Sequence, residues 1–353
     1  MNDVPPARSR TRHGERPTIE TVARYAGVSR QTVSNALNTP DRLAPATLRR
    51  VLDAVAELRY RPHSAARAMR RGAALCVAMR ITTVPDGFNG PLFDRFVKEL
   101  CGETRSRDRD VRLIAASWGE AELRTYEDLY FAAAIDGVVL TELCRDDPRP
   151  ARLQAAGVPF VAFGRPWGAG ASRAYPWVDV DGAAGTEDAV DHCVRRGYRR
   201  IAYLGWERGS SVSDDRMAGW QRALARHGLP EGPAVLGASD RVEHGRRLAE
   251  QVLGDPGDGY QPTALVCVSD VIALGAMAAA RARGLTLGRD VAVVGFDDTP
   301  TAAVVDPPLT TVRQPIEECA RLAVRLLLGG SADGGADVPS HLLAPTLVVR
   351  GTT

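Results

Sequence analysis

A cluster of polar side chains on one short segment near the amino terminus is the first feature that could support specific chemistry. It contains Arg30, Gln31, Thr32, Ser34 and Asn35, with no carboxylate among residues 30–35. Guanidinium, amide and hydroxyl groups can hydrogen-bond to the edge of a base pair or to a phosphate. The same face could instead be only solvated, because helix, glycine, helix is a common packing unit. The residue types alone leave both interpretations open.

Two short helices joined by a tight turn are predicted to carry this segment, over residues 18–38. Apolar residues recur at three- and four-residue steps in the first helix, and Thr18 suits its N-cap. Gly27 can adopt the left-handed backbone that a sharp reversal needs, and Ser29 suits the N-cap of a second helix over 30–37. The polar side chains are therefore expected on the outer face of the second helix.

A third helix is predicted from Pro45, where a helix can begin without an amide donor. Its apolar residues follow helical spacing and would close a small core: Leu48, Val51, Leu52, Val55 and Leu58. Ala44 stands where a capping Ser or Thr is common. The next segment, residues 63–71, is too short to stay helical without a partner.

Charge is distributed unevenly along the chain, although the net charge is only +2. Residues 1–72 hold 14 Arg, no Lys and 6 acidic residues, so this part carries about +8 and the remainder about −6. A basic end on an acidic body is typical of a nucleic-acid-binding module attached to another domain. Lys98 is the only lysine, so arginine richness is partly a property of the whole chain.

The remaining composition predicts a reduced, cytoplasmic protein without metal or cofactor. The six cysteines are scattered singly, without the close pairs of metal or redox sites: Cys76, Cys101, Cys144, Cys193, Cys267 and Cys319. The start lacks a signal peptide, and no window is long and apolar enough to cross a bilayer. Residues 1–16 are polar and are expected to form a disordered basic tail.

From residue 75 onwards, short apolar runs alternate with longer helical patterns. The runs are 76–81, 111–115, 137–140, 159–163, 177–180, 200–205, 264–268 and 291–296. They are continuous rather than alternating, which is typical of strands covered on both faces. This pattern predicts an α/β fold with doubly wound parallel sheets. Two such series predict two lobes, with a small-molecule cleft where the carboxyl ends of the strands meet.

Specific sequence motifs in both parts resemble the lactose-repressor (LacI/GalR) family of bacterial transcription regulators. The amino-terminal string AGVSRQTVSNALN, with Arg49 and Tyr60-Arg61-Pro62, resembles the family's DNA-binding headpiece. The stretches AIDGVVL, VDVDGAAGTEDAV, DVAVVGFDDT and DPPLTTVRQP follow in the order of its effector-binding core, which is similar to periplasmic binding proteins. The resemblance covers nearly the whole chain.

This resemblance implies a domain organisation and a set of boundaries. A basic tail would occupy residues 1–16, a helix-turn-helix headpiece 17–62, a hinge helix 63–72 and a two-lobed core 73–353. The first lobe would contain 73–174 and 314–330. The second lobe would contain 175–313 and 331–353.

The resemblance also assigns DNA-binding residues. Arg30, Gln31 and Asn35 would contact bases in the major groove. The implied phosphate contacts are Thr18, Tyr25, Ser29, Thr32 and Ser34. The hinge segment, with Ala66, Met69 and Arg70, would lie in the central minor groove. Met69 would insert there as a wedge where the family usually has leucine.

In the cleft, the resemblance implies six effector contacts. They are Leu92, Phe93, Arg216, Arg241, Asp270 and Asp297. Arginine and aspartate suit polyols, because a charged group can bond vicinal hydroxyls strongly. By spacing alone, Asp270 could instead cap a helix and Asp297 could occupy a strand-end turn. Arg241 falls near a position where the family often has an aromatic ring, so an anionic ligand is a further interpretation.

The expected partners are a near-palindromic double-stranded operator, a sugar or sugar derivative, and a second copy of the chain in a homodimer. Effector binding would shift the lobes between two states and so change operator affinity. The sequence does not distinguish induction from corepression.

The sequence leaves two other classes of protein to consider, an enzyme and a solute-binding protein. Enzyme motifs such as GxSxG, a P-loop or HExxH are absent, and the six histidines show no ligand spacing: His13, His63, His192, His227, His244 and His341. A solute-binding protein without gene regulation is suggested by the two-lobed core. It is disfavoured by residues 17–72 and by the lack of an export signal.

Overall fold

The computed structural model describes residues 17–60, 74–81, 90–167, 175–207, 209, 211–237, 239–253, 263–329 and 340–353. The chain divides into two compact units, Met1–Ala74 and Leu75–Thr353. The predicted tail 1–16 and hinge 63–72, with Ala66, Met69 and Arg70, lie outside the described residues.

The amino-terminal unit is built from short helices, as predicted. They are α1 Ile19–Ala26, α2 Arg30–Asn38, a 3₁₀ turn Pro40–Arg42, and α3 Pro45–Glu57. Their buried core consists of Val22, Ala23, Ala26, Val33, Ala36, Val51, Ala54 and Tyr60. Leu52 was predicted to join this core, but it is 44% exposed because it lies on the outer side of α3.

Helix ends in this unit follow the predicted capping residues. The Thr18 hydroxyl accepts from the Thr21 amide, and the Ser29 hydroxyl accepts from the Thr32 amide. Gly27 ends α1 in the left-handed conformation, with a φ of 63°. Ala44 makes no side-chain cap, and Pro45 follows it at the first position of α3. These local signals confirm the helix, turn and helix.

The carboxy-terminal unit begins with alternating strands and helices over residues 76–180. They are β1 Cys76–Ile81, α4 Pro91–Arg105, β2 Asp110–Ala115, α5 Glu120–Phe131, β3 Gly137–Leu140, α6 Arg149–Ala155, β4 Phe160–Phe163 and β5 Trp177–Val180. The edge strand β2 departs from the expected covering on both faces, and its Leu113 is 44% exposed. The others confirm the predicted strand runs closely.

A second series follows over residues 182–313. It comprises α7 Gly182–Arg195, β6 Ile201–Trp206, α8 Ser211–Arg226, β7 Ala234–Gly237, α9 Val242–Leu253, β8 Ala264–Cys267, α10 Asp270–Ala282, β9 Ala292–Phe296, α11 Pro300–Val304 and β10 Thr310–Arg313. The chain then adds α12 Ile316–Leu328, β11 Ser340–Leu343 and β12 Thr346–Val348.

Within the described residues, the strands form two six-stranded sheets. Their orders are β11-β5-β4-β3-β1-β2 and β12-β10-β9-β8-β6-β7. Neighbouring strands are parallel except for β12, which runs antiparallel to β10. We call the first sheet with its helices the first lobe, and the second sheet with its helices the second lobe. The predicted two-lobed α/β architecture is therefore confirmed.

The predicted lobe boundaries are wrong at two strands. β5 and β11 were expected in the second lobe, but they pair with each other and β5 also pairs with β4 in the first sheet. The chain therefore changes lobe after Val180, near Gln314 and near Pro345. Sequence order could not reveal this, because β11 adds to its sheet from a distant part of the chain.

Candidate functional site

On the polar face of α2, Arg30 and Gln31 are exposed, whereas Ser34 and Asn35 are half-buried. Arg30, Gln31, Ser34 and Asn35 fall on one side of the helix at 100° per residue, whereas Thr32 lies beyond it. The Gln31 amide nitrogen donates to Asn35 Oδ1 at 2.9 Å, so two of the predicted base-contacting side chains are already ordered against each other. Tyr25 on α1 is 46% exposed.

A carboxylate that sequence reasoning missed lies beside this face. Glu20 of α1 places Oε1 3.0 Å from Nη1 of Arg30, with both side chains more than half exposed. The segment 30–35 has no acidic residue of its own, so only the packing of α1 against α2 reveals this contact.

In the carboxy-terminal unit, a cavity of about 450 Å³ lies between the two lobes. Leu92 and Phe93 at the start of α4 line it from the first lobe, together with Phe163 and Trp167. Arg216 of α8 and Asp297 after β9 line it from the second lobe. Its volume and mixed apolar and charged wall are typical of small-molecule sites.

Arg216 is the buried cation of this wall. Its guanidinium carbon lies 3.6 Å from the centre of the Phe296 ring, and Nη1 donates to the Val268 carbonyl at 2.5 Å. Nη2 is 3.9 Å from Asp297 Oδ1, which is an ion pair without close contact. Stacking and hydrogen bonding together fix the plane of the guanidinium.

Asp297 is a buried carboxylate at the carboxyl end of β9. Its backbone has a φ of 115°, a strained value for a residue with a side chain. Gln314 donates to its Oδ1 at 2.6 Å. Burial raises the pKa of Asp297 to about 8, although the charge of Arg216 acts in the opposite direction. The strand-end position agrees with the alternative based on spacing, and the side chain also lines the cavity.

Two predicted effector contacts are not among the described residues that line the cavity. Asp270 accepts from the Thr299 amide at 2.7 Å and from the Thr311 hydroxyl at 2.5 Å, so its oxygens are engaged inside the second lobe. The cap of α10 is Ser269, not Asp270. Arg241 precedes α9, and its neighbour Asp240 lines the cavity instead.

The cavity wall includes chemically important residues that the sequence analysis did not single out. They are Glu142, Trp167, Asp179, Trp206, Ser211, Asp215, Asp240 and Gln314. Asp179 had a recognisable signal, since it is a charged residue inside the apolar strand β5. Trp206 donates from Nε1 to Asp240 Oδ1 at 3.3 Å, a pairing that joins distant parts of the chain.

Comparison with known proteins connects both units to one family. Residues 18–63 match the family described as bacterial regulatory proteins, lacI family, and residues 190–353 match the periplasmic binding protein-like domain. The HTH-type transcriptional regulator CelR of Thermobifida fusca is 33% identical over 95% of this chain and 98% of its own length. The regulator AglR of Rhizobium meliloti (strain 1021) is 32% identical over 95% and 94%. The chain belongs to the LacI family.

Solved structures of LacI-family proteins agree with the observed fold. A Lac repressor dimer bound to operator and the anti-inducer ONPF has a TM-score of 0.81, 26% identity, and coverage of 96% of this chain and 99% of that chain. A complex of CelR with cellobiose has a TM-score of 0.70, 30% identity, and coverage of 96% and 100%. As a LacI-family member, the chain is a DNA-binding transcription regulator, as predicted.

Several buried polar atoms on the wall have no hydrogen-bond partner within the described part of this LacI-family chain. They are Trp167 Nε1, Ser211 Oγ, Arg216 Nε and Asp179 Oδ2, although Asp179 Oδ2 forms an ion pair with Arg165 Nε at 3.2 Å. Leaving a buried polar group unbonded is costly, so such atoms mark where a ligand can supply the missing bonds. The set contains donors, an acceptor and a hydroxyl.

Among the helices in the described ranges, none has the length and apolarity to span a bilayer.

Proposed function

We propose that the chain is a repressor whose α2 contacts operator bases through Arg30, Gln31 and Asn35. The phosphate contacts would be Thr18, Tyr25, Ser29, Thr32 and Ser34, with Ala66, Met69 and Arg70 in the minor groove. One observation carries this proposal: guanidinium and amide groups lie together on the solvent-facing side of α2. This helix lies within residues 18–63, which match the lacI family. A homodimer would present two such helices to a near-palindromic operator.

The cavity ligand in this proposal is a sugar or sugar derivative without net negative charge. Hydroxyls both donate and accept, so a polyol can supply hydrogen bonds to Trp167 Nε1, Ser211 Oγ and Arg216 Nε. Trp167 and Trp206 offer apolar faces on the same wall. A solved structure of a CelR–cellobiose complex is 30% identical to this chain.

The charge of the wall argues against an anionic effector. Among the described residues that line the cavity, five carry carboxylates and one is an arginine: Glu142, Asp179, Asp215, Asp240 and Asp297, with Arg216. Glu142 is paired with Arg80, and both Asp179 and Asp215 are paired with Arg165. These arginines are therefore already engaged, and the lining arginine, Arg216, donates to the Val268 carbonyl. An anionic ligand would meet acidic side chains, and no cation among the described lining residues is free to neutralise it. An anionic ligand was favoured only by Arg241, which is not among the described residues that line the cavity. The cavity is assigned to binding rather than catalysis.

The regulatory step in this proposal is a change in the angle between lobes. The chain passes between the sheets near Val180, Gln314 and Pro345, and the first two positions also border the cavity. A ligand that contacts both lobes beside these crossings binds one lobe arrangement better than another. The free energy of operator binding can then change by as much as the ligand's binding free energy differs between the two lobe arrangements.

Selection from random double-stranded DNA, followed by mobility-shift titration, tests the DNA-binding half. Wild-type protein should enrich one near-palindromic sequence. Arg30→Ala should relax preference at one base position in each half-site, at a cost of about 1–3 kcal/mol there. Tyr25→Phe should weaken all sequences alike. If the protein enriched no sequence, the repressor proposal would fail and a solute-binding protein without gene regulation would be favoured.

A thermal-shift screen tests the effector half. Neutral mono- and disaccharides, with their amino, acid and phosphorylated counterparts, are added to wild type and to Arg216→Ala. At least one neutral or amino sugar should stabilise the wild type and fail to stabilise the variant. Stabilisation by only a sugar acid or phosphate would contradict the assigned ligand class.

A further inference from the structure

One contact on the DNA-facing surface falls outside the roles described so far. Glu20 is in the first turn of α1, and its Oε1 lies 3.0 Å from Nη1 of Arg30 at the start of α2. The two side chains are 59% and 67% exposed, so the pair is accessible from solvent. It brings a negative charge to a surface that would face a polyanion.

Folding stability alone gives a weak reason for this contact. A carboxylate in the first turn of a helix interacts favourably with the helix dipole, and Glu20 gains that benefit whether or not Arg30 is near. Exposed ion pairs contribute little to stability. Against DNA, however, an acidic group is repelled by phosphates and lowers affinity unless a cation neutralises it.

The geometry gives the pair a use in recognition. A guanidinium has several donors in a fixed plane, and Glu20 engages Nη1. The edge formed by Nε and Nη2 stays available for a bidentate bond to a base. A neighbouring carboxylate also reduces the attraction of Arg30 for phosphate, because the pair has no net charge. The contact thus orients the Arg30 guanidinium and disfavours its sequence-independent binding to phosphates.

We infer that Glu20 is a specificity-determining residue, which holds Arg30 for base contact and penalises binding to the phosphate backbone. This inference rests on the proposed role of Arg30 at the operator. Glu20 itself need not touch DNA, so it is a positioning residue.

Three variants separate its charge from its pairing. Glu20→Gln removes the charge and should raise affinity for random DNA about fivefold at physiological salt, since one repulsion is lost. Affinity for the selected operator should fall about twofold, because Arg30 is no longer held for base contact, so the specificity ratio should drop about tenfold. Glu20→Asp keeps the charge but shortens the side chain, and should lower specificity with an unchanged salt slope. Glu57→Gln on α3 is the matched control, with the same charge change at an exposed residue that does not form the ion pair with Arg30.

The full-length dimer is titrated with the selected operator and with a scrambled duplex over a range of salt. Failure of wild type to enrich any sequence would remove the proposed function. If wild type enriched a sequence but the specificity ratio of Glu20→Gln were within twofold of the wild-type ratio, the inference about Glu20 would be overturned and the proposed function would stand. The inference would also be overturned if Glu57→Gln lowered the specificity ratio as much as Glu20→Gln does. The same would hold if Glu20→Gln lowered the ratio equally in a protein that already carries Arg30→Ala. Thermal unfolding confirms that each variant is folded.

Discussion

At the scale of single residues, burial gives the cavity's charged side chains their particular chemistry. The Arg216 side chain is 5% exposed, is stacked on Phe296 and donates to the Val268 carbonyl. Removed from water, such a group interacts strongly with any polar ligand atom that reaches it. A residue type and its position in a motif can suggest this role, but only the packed structure fixes its plane.

Arg216→Lys is expected to weaken effector binding at least about tenfold, because an ammonium lacks the planar fork and the stacking on Phe296. Isothermal titration with the sugar identified by the thermal-shift screen measures the loss. Arg222→Lys is the control, since Arg222 lies on the same helix with an exposed side chain paired to Glu187. Equal affinities of Arg216→Lys and wild type would show that Arg216 does not contact the effector.

Asp297 predicts a pH dependence of folding stability. Its folded pKa of about 8 lies above that of an unfolded aspartate, near 4, so the native state holds the proton over this window. The contribution of Asp297 is therefore most favourable below about pH 4 and is lost as pH rises towards about 8. Asp240 and Asp270 reinforce the shift, whereas Arg216 and Gln314 oppose it.

Asp297→Asn should flatten this dependence, because an amide does not titrate. Urea unfolding of both proteins between pH 5 and 8 should give a difference in unfolding free energy that grows in favour of the variant as pH rises. Parallel curves for the two proteins would mean that Asp297 is ionised in the native state throughout this range.

At the scale of elements, local signals predicted the helices and the buried strands well. The caps at Thr18 and Ser29 and the continuous apolar runs depend only on residues close in sequence. They can therefore be recognised in a single sequence. The strands β7, β10, β11 and β12 were not predicted. They are short, three of them lie near prolines or polar residues, and β7 and β12 occupy sheet edges where burial is incomplete. Their strand character comes from pairing with distant partners.

Helix packing in the second lobe depends on glycines that no local pattern marks. A Cβ at Gly275 of α10 would overlap the carbonyl oxygen of Val242, and one at Gly245 of α9 would overlap that of Ile272. The two helices therefore approach backbone to backbone. Rigid main-chain atoms cannot move aside as a side chain does.

Gly275→Ala is expected to destabilise the protein by about 3 kcal/mol, since the overlap requires the helices to separate. Gly102→Ala is the control, because a Cβ there meets nothing within 4 Å and alanine favours helix by up to about 1 kcal/mol. Denaturant midpoints should move in opposite directions for the two variants. A stabilised Gly275→Ala would indicate that α9 and α10 have room to move apart.

At the scale of the whole core, residues that connect the lobes were the hardest to predict. The sequence predicted two lobes with crossings after residues 174, 313 and 330. The structure agrees with the crossing near residue 314, but the other two predicted crossings place β5 and β11 in the wrong lobe. Arg165 illustrates why contacts between the lobes could not be predicted. It follows β4 in the first lobe, yet its Nη2 lies 2.5 Å from Asp215 Oδ2 on α8 of the second lobe. Such a contact exists only once both sheets are assembled.

This pair gives a prediction about lobe motion. Arg165 also stacks on Trp167, 4.4 Å from the ring centre, and lies 3.2 Å from Asp179, so it is anchored to the first lobe. Its ion pair with Asp215 then holds the lobes in the observed arrangement. Asp215→Asn should loosen this arrangement while an amide oxygen can still accept from the Ala183 amide, which donates to Asp215 at 3.0 Å.

With the pair broken, lobe arrangements that bind effector poorly become more populated, and affinity falls in proportion. We expect binding to weaken about threefold to tenfold and the radius of gyration of the unliganded protein, measured by X-ray scattering, to increase. Glu187→Gln is the matched control, because its partners Arg222 and Arg226 lie in the same lobe. Equal changes in both variants would assign the effect to general loss of stability. Because Asp215 also lines the cavity, the radius of gyration of the unliganded protein is the deciding measurement. An increase confined to Asp215→Asn identifies a contact that sets the balance between lobe arrangements.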